Sequence, residues 1–323
     1  MTSDVQLDPS VTPVVGVTEG MGKRRVNNLS ASVRPWLLLA PALAVLACLM
    51  LWPLVQVVII SLQDYGLRQI VSGTTKFIGL QNYVEIVTNP TLWTVALPNT
   101  LVVAAISVSS TVTLGTLVAL LMARLGIFWR TLVGSAIMVA WAMPAVTGTY
   151  LWIWIFDADN GIVNRVLMDL GVMHEPYNWF THTTSFYAIV ILNIVHHGFP
   201  FVAVTVLAGL LGISQEMLEA AAMDGAGAIR RFFSITVPSL KQVFAVVLIL
   251  STIWDIKIFA QVYLMPGGSG SNRAVLNLGV WSYIESFGQN RYGFGSAIAV
   301  LLTLALMVVT VIYVRVMLRE EEL

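Results

Sequence analysis

The sequence predicts an all-α integral membrane protein with six transmembrane helices, on three observations. Hydrophobic residues make up 57% of the 323 residues and charged residues only 11%, and the mean hydropathy is +0.83. Six apolar runs each come near or exceed the roughly 20 residues needed to cross the hydrocarbon of a bilayer. Lys and Arg concentrate in alternate connecting segments, the asymmetry expected of a chain threaded back and forth through a membrane.

The elements follow in order. Residues 1–35 form a polar N-terminal arm without periodicity, expected to be loose or disordered. The first apolar stretch is too long and starts too late to be the core of a cleavable signal. The expected spans are Trp36 to Leu62, Leu97 to Ala123, Leu132 to Phe156, Ser185 to Leu207, Gln242 to Leu264 and Phe294 to Val316, with residues 317–323 as a tail. An even number of spans puts both termini on one side.

Lys23, Arg24, Arg25 and Arg34 in the arm, Arg124 and Arg130, then Arg230, Arg231 and Lys241, and Arg315 and Arg319 near the end all fall on that side. The opposite loops hold fewer, namely Arg68, Lys76, Arg165, Arg273 and Arg291. Both termini are therefore expected to be cytoplasmic in a multi-pass protein of the cell membrane. Trp93, Trp179 and Trp281 fall near expected interfaces, where indole rings anchor. Cys48 is the only cysteine, which excludes an internal disulfide.

The segment 212–242 is a polar interruption on the cytoplasmic side. Ser214 suits an N-cap, Glu216 and Glu219 suit the positive end of a short helix, and the alanine run propagates it. Gly225 and Gly227 break the helix, and Pro238 suits the first turn of the next one. By themselves these features also fit an amphipathic connector lying on the membrane surface.

The spacing of the segment adds more. Glu219-Ala220-Ala221, three residues, Gly225, nine residues and then Ile235-Thr236-Val237-Pro238 resembles the EAA loop of ABC importer membrane subunits, with Val237 where that family usually has Leu. Phe77-Ile78-Gly79-Leu80-Gln81-Asn82-Tyr83, Asn99-Thr100, Gly161-Ile162-Val163-Asn164 and Pro200-Phe201 with Leu207-Ala208-Gly209-Leu210 are similar to motifs of carbohydrate importer permeases. The similarity runs from about Trp36 to the end. It points to the maltose-type permeases, and to the first of their two paired subunits.

That resemblance implies a type I ABC importer transmembrane domain over residues 36–316 with a cytoplasmic coupling helix. Glu219, Ala220, Ala221, Asp224, Gly225, Ala226, Arg230 and Pro238 would be the contact with a cytoplasmic ATPase dimer. The implied partners are that ATPase, a homologous second permease, an extracytoplasmic solute-binding protein and a carbohydrate, a di- or oligosaccharide or related sugar. ATP and magnesium would be used by the ATPase, with no cofactor on this chain. Two features depart from the family: His196-His197 stand where Trp and a basic residue are common, and Pro266-Gly267-Gly268-Ser269-Gly270 replaces a Thr-x-Gly-Gly-Pro stretch.

The residues themselves suggest a path through the membrane, because ionisable groups at membrane depth face water or a partner. Asp255 and Lys257 are two apart and would point to opposite sides of a continuous helix. Trp254, Phe259, Gln261 and Tyr263 add ring faces and hydrogen-bonding groups of the kind a sugar requires, and Asn193 and His196 on the fourth span could share that face. Lys257 fits equally a structural ion pair, and the two adjacent histidines read as packing residues rather than a metal site.

The sequence contains no Gly-x-x-x-x-Gly-Lys-Ser/Thr phosphate loop, nucleophile elbow or His-Glu-x-x-His element, so it reads as a conduit, not an enzyme or a nucleic-acid binder. The competing class is an ion-driven secondary transporter with Asp255 and Lys257 in a proton or ion relay.

Overall fold

The computed structural model describes residues 28–321, which are helical almost throughout. The expected loose arm through residue 27 and the last two residues lie outside the described part. The chain falls into two compact units divided after Pro53. In the first unit helix α1 (Asn28–Leu46) leads through a π turn (Ala47–Leu51) into the start of α2 (Trp52–Ser61). Helix is thus already present at Asn28, inside the stretch expected to be a loose arm. Large apolar side chains of this unit, such as Leu38, Leu49 and Met50, are exposed, as suits groups whose solvent is lipid.

The second unit begins with the rest of α2. A small antiparallel hairpin, β1 (Gln63–Asp64) with β2 (Lys76–Phe77), encloses α3 (Leu67–Ser72) and leads to α4 (Gln81–Thr88). A π turn (Leu92–Ala96) opens α5 (Leu97–Ala123), followed by α6 (Ile127–Trp141), α7 (Ala145–Ile155), α8 (Ile162–Asp169) and α9 (Thr183–Leu210). The polar loop holds α10 (Gln215–Met223), α11 (Ala228–Arg231), a π turn (Phe232–Thr236) and α12 (Val237–Ser239). Then come α13 (Lys241–Ile256), α14 (Ala260–Leu264), a 3-10 turn (Arg273–Val275), α15 (Leu278–Tyr283) with a π turn (Ile284–Gly288), and α16 (Tyr292–Glu321).

Among the described residues five helical stretches are long and apolar enough to cross a membrane, and a bent pair makes the sixth. That pair corrects the expected continuous span from Leu132 to Phe156. Helices α6 and α7 meet at 92°, with Pro144 as the N-cap of α7. Proline has no N–H to donate and drives the preceding residue out of the helical region, so one rod is not available there. The fifth span is also interrupted, at Lys257 to Phe259 between α13 and α14. The sixth helix runs on to Glu321 instead of ending at Val316.

Packing centres on α5 and α9. The buried face of α5 includes Ala104, Val108, Thr111, Gly115 and Ala119, a helical stripe of mostly small residues that lets two backbones approach where lipid offers no hydrophobic drive. A Cβ on Gly115 would lie 2.6 Å from Val202 and 3.0 Å from the Phe199 carbonyl oxygen, so no other residue fits. Trp281, expected at an interface, is instead a core residue, 2% exposed, whose indole N–H donates to Glu285 Oε1 at 3.1 Å.

Outside the spans the turns are stapled by side-chain amides. Asn82 Nδ2 donates to the backbone oxygens of Ser61 at 2.8 Å and Gln63 at 3.0 Å. Tyr83 and Ser61 share a hydroxyl contact of 2.6 Å, and Gly293 N–H at the head of α16 donates to Tyr65 O at 2.9 Å. Asn82 and Tyr83 of the Phe77–Tyr83 motif therefore clasp α4 to the end of α2, and Tyr65, just beyond α2, ties on the head of α16. Asn164 acts likewise, donating to Ala158 O and Tyr177 O and accepting from Trp179 Nε1 at 2.7 Å. Replacing Asn82 by Ala orphans two carbonyls and is expected to destabilise the protein by about 2–4 kcal/mol, measured as a lower thermal midpoint in detergent. Gln81→Ala, at an exposed neighbour, should leave the midpoint within error.

Candidate functional site

The polar loop is built by an ordinary helix stop. Helix α10 ends with Gly225 N–H donating to Ala222 O at 3.0 Å and Ala226 N–H donating to Ala221 O at 2.9 Å, the pair of bonds that closes a helix through a left-handed residue. Gly225 is that residue, at φ +78°, where a side chain is strained. The motif thus has a physical reason: alanines keep the helix narrow, Asp224 is its C-cap, and glycine turns the chain. Ser214 occupies the N-cap position as expected, but its hydroxyl makes no cap bond.

Pro238 is placed differently from expectation. It lies in the first turn of α12, yet α12 follows the π turn directly, so the proline sits near the end of one helical run from Ala228. Prolines also stand two residues beyond the π turns at Leu51 and Ala96, at Pro53 and Pro98. In each case widened hydrogen bonding accompanies the missing N–H.

The loop's surface is open. Glu219, Ala220, Asp224, Gly225, Arg230 and Pro238 are exposed, and Ala221 and Ala226 are half-buried. Glu219 accepts a hydrogen bond from Gln215 Nε2 at 3.0 Å, one turn away on the same face. On the same loop, Met223 is 88% and Ile229 77% exposed, so the loop presents large apolar side chains as well as the Glu219 carboxylate at its surface. Arg130 is not free for such work: its guanidinium donates to the carbonyls of Met122, Ala123 and Leu125 and so caps the end of α5.

The expected path residues are only partly brought together. Phe259 and Tyr263 stack with centroids 5.0 Å apart, and both pack on Tyr283. Trp254 packs separately, edge to face with Phe201 at 5.2 Å. His196 is exposed beside Trp152, at 5.8 Å. Asn193 is buried, and Gln261 is half-buried. Asp255 is 8% exposed, and its Oδ2 has no hydrogen-bond partner among the described residues. Lys257 is exposed. Helix α13 stops at Ile256, so the expectation that Asp255 and Lys257 oppose each other on one helix does not hold. No ion pair joins them among the described residues, and no cluster of His, Cys, Asp or Glu there could hold a metal.

Sequence reasoning missed Asn277, which holds a carbonyl of this break, and Tyr187; it marked Asn99-Thr100 as a motif without seeing what they hold. Asn277 is 2% exposed, donates to Ile258 O at 2.8 Å and caps α15 by accepting from Val280 N–H at 2.8 Å. Asn99 Nδ2 donates to Ala274 O and Leu276 O, both at 2.9 Å. Thr100 Oγ1 accepts from Leu278 N–H at 2.9 Å, and Tyr187 OH donates to Val275 O. The signal for Asn277 was its cap chemistry ahead of Leu278, but its long-range partner is not visible in sequence.

Residues 111–320 match the family described as binding-protein-dependent transport system inner membrane component. The chain is 37% identical to the diacetylchitobiose uptake system permease protein DasB of Streptomyces coelicolor, over 100% of this chain and 99% of that protein. It is 31% identical to the trehalose/maltose transport system permease protein MalF of Thermococcus litoralis, over 90% of this chain and 97% of that protein. Among solved structures it superposes, with a TM-score of 0.75 and 18% identity, on a chain of a bacterial ABC transporter involved in the import of the acidic polysaccharide alginate, covering 90% of this chain and 99% of that one. The fold is thus that of an ABC importer membrane domain.

A non-glycine side chain at position 225 adds about 1–2 kcal/mol of backbone strain. Gly225→Ala is expected to loosen the α10 terminus, read as faster amide hydrogen exchange at position 225 and at Ala226 than in the unaltered chain.

Proposed function

Because the chain belongs to the binding-protein-dependent transport system inner membrane component family, we propose that it is one permease half of an importer that takes up a di- or oligosaccharide or a related sugar. The relatives named above are permeases for diacetylchitobiose and for trehalose and maltose, which supports a carbohydrate cargo. The observation that carries the mechanism is the exposed α10 helix with its glycine-closed end between the fourth and fifth spans.

In this reading α10 seats in a cleft of a cytoplasmic ATPase. Ala220 and Ala221 allow close approach, Glu219 offers a carboxylate to a basic group, and Met223 is covered on docking. Arg230 and Pro238 flank the seat. ATP and magnesium are used by that partner. The distribution of Lys and Arg supports cytoplasmic termini and a cytoplasmic α10. An extracytoplasmic binding protein delivers the sugar, and closure of the ATPase shifts the population of inward- and outward-facing states through different contacts with α10 in each.

The path lies along the break in the fifth span, where non-helical backbone at membrane depth is tolerated only against protein or a water-filled cavity. Phe259, Tyr263 and Tyr283 present ring faces to the sugar, Gln261 and Asn193 present amides, and Trp254, His196, Asp255 and Lys257 complete the wall with side chains of a homologous second permease. A half-site of this kind agrees with Asp255 Oδ2, which has no hydrogen-bond partner among the described residues.

Glu219→Lys is expected to reduce ATP-dependent sugar uptake in membrane vesicles to background while the chain still inserts and pairs with the second permease. Normal uptake by that variant would remove α10 from the coupling role. Lys257→Met is expected to lower uptake several-fold and leave binding-protein-stimulated ATP hydrolysis in place. Equal uptake by the variant and the unaltered transporter would take Lys257 off the path.

A further inference from the structure

An apolar groove of about 1070 Å³ runs between α5, α13 and the loop helices, and Tyr313 of α16 closes one side. Leu117, Leu120, Phe244 and Leu248 are among the side chains along it. Its mouth, at the loop end, carries Arg124 just after α5, Arg231 of α11 and Lys241 of α13, and no carboxylate lines it among the described residues. From Arg124 to Val112, the deepest lining residue on α5, the groove follows the helix for roughly 18 Å. Half of a hydrocarbon core about 30 Å thick is roughly 15 Å, so the groove is about one leaflet deep.

We propose that this groove binds one anionic phospholipid of the cytoplasmic leaflet, with its acyl chains along α5 and α13 and its phosphate at Arg124 and Arg231. Charge complementarity selects this occupant: two arginines, Arg124 and Arg231, stand at one end of a slot that is otherwise oily. Arg231 Nε is buried and makes no hydrogen bond among the described residues, so a donor is held at the mouth without an acceptor. Phosphate oxygens supply acceptors in the geometry a guanidinium prefers. A packing helix from another subunit would cover the apolar walls but would enclose Arg124 and Arg231, which make no ion pair among the described residues, without counter-charge, which is costly. Basic pockets between spans on the cytoplasmic side are where lipid headgroups of this charge bind. Ala228, Ile229 and Arg231 belong to the loop and line the groove, so the lipid would tie the loop to α5.

The leaflet rests on the orientation proposed above. The test uses the assembled transporter with a photoreactive benzophenone side chain at position 117, an exposed site within the groove, reconstituted in mixed phosphatidylglycerol and phosphatidylcholine bilayers. Irradiation is expected to give a phospholipid adduct on this chain that favours phosphatidylglycerol by roughly five-fold or more. With Arg124→Gln and Arg231→Gln together, the adduct should persist and the preference vanish. A cross-link to another protein subunit, equal labelling by both lipids, or a preference unchanged in the double variant would each overturn the proposal. The unsubstituted benzophenone chain decides even where the double variant fails to assemble. ATP-dependent sugar uptake by the same preparation reports on the transport reading separately.

Discussion

Where the backbone leaves the helix in this protein, side-chain amides take over its hydrogen bonds, and the architecture depends on that substitution. Hydrocarbon offers no water to an exposed carbonyl, so each turn near the spans needs a donor from elsewhere. Asn82, Asn99 and Asn164 each hold two carbonyls, and Asn277 holds one while capping a helix. Asparagine suits the task because one short, stiff group carries two donors and an acceptor. Through these bonds the end of α2 is joined to α4, and α5 to the segment that precedes α15.

The same constraint explains why the fifth span can be broken. Ile258 sits between α13 and α14 with its carbonyl satisfied by Asn277, so part of the backbone freed by the break is paired within the protein. Once the helix is interrupted, Phe259 and Tyr263 can turn to meet Tyr283, and Asp255 and Lys257 no longer share a rod. A rigid frame of amide staples thus carries an irregular segment, the arrangement in which ligand-binding groups can be aimed without loss of stability.

The loop between the fourth and fifth spans follows different physics. It is exposed and held by local bonds: the Gly225 closure, the Gln215 to Glu219 contact and a π turn ahead of Pro238. Such an element is stable in its own conformation and leaves its outer face unspent. Its inner side forms part of an apolar groove, so the loop stands between a surface suited to a protein and a slot suited to a lipid.

Local chemistry was legible in the sequence because its causes lie within a few residues. Apolar runs mark spans, since burying a helix in lipid requires about twenty apolar positions in a row. The Glu219 to Pro238 pattern marks the helix, turn and helix, since only glycine turns so tightly after the alanines. The tertiary structure alone decided what depends on residues far apart in the chain. The partner of Asn99 lies beyond Arg273, the staple of Ile258 is Asn277, and the basic residues of the groove come from the cap of α5, from α11 and from α13. The 92° bend at Pro144 and the break at Lys257 belong here too. A proline or a polar pair announces that a helix can break, but whether it does is set by the distant groups that receive the freed backbone.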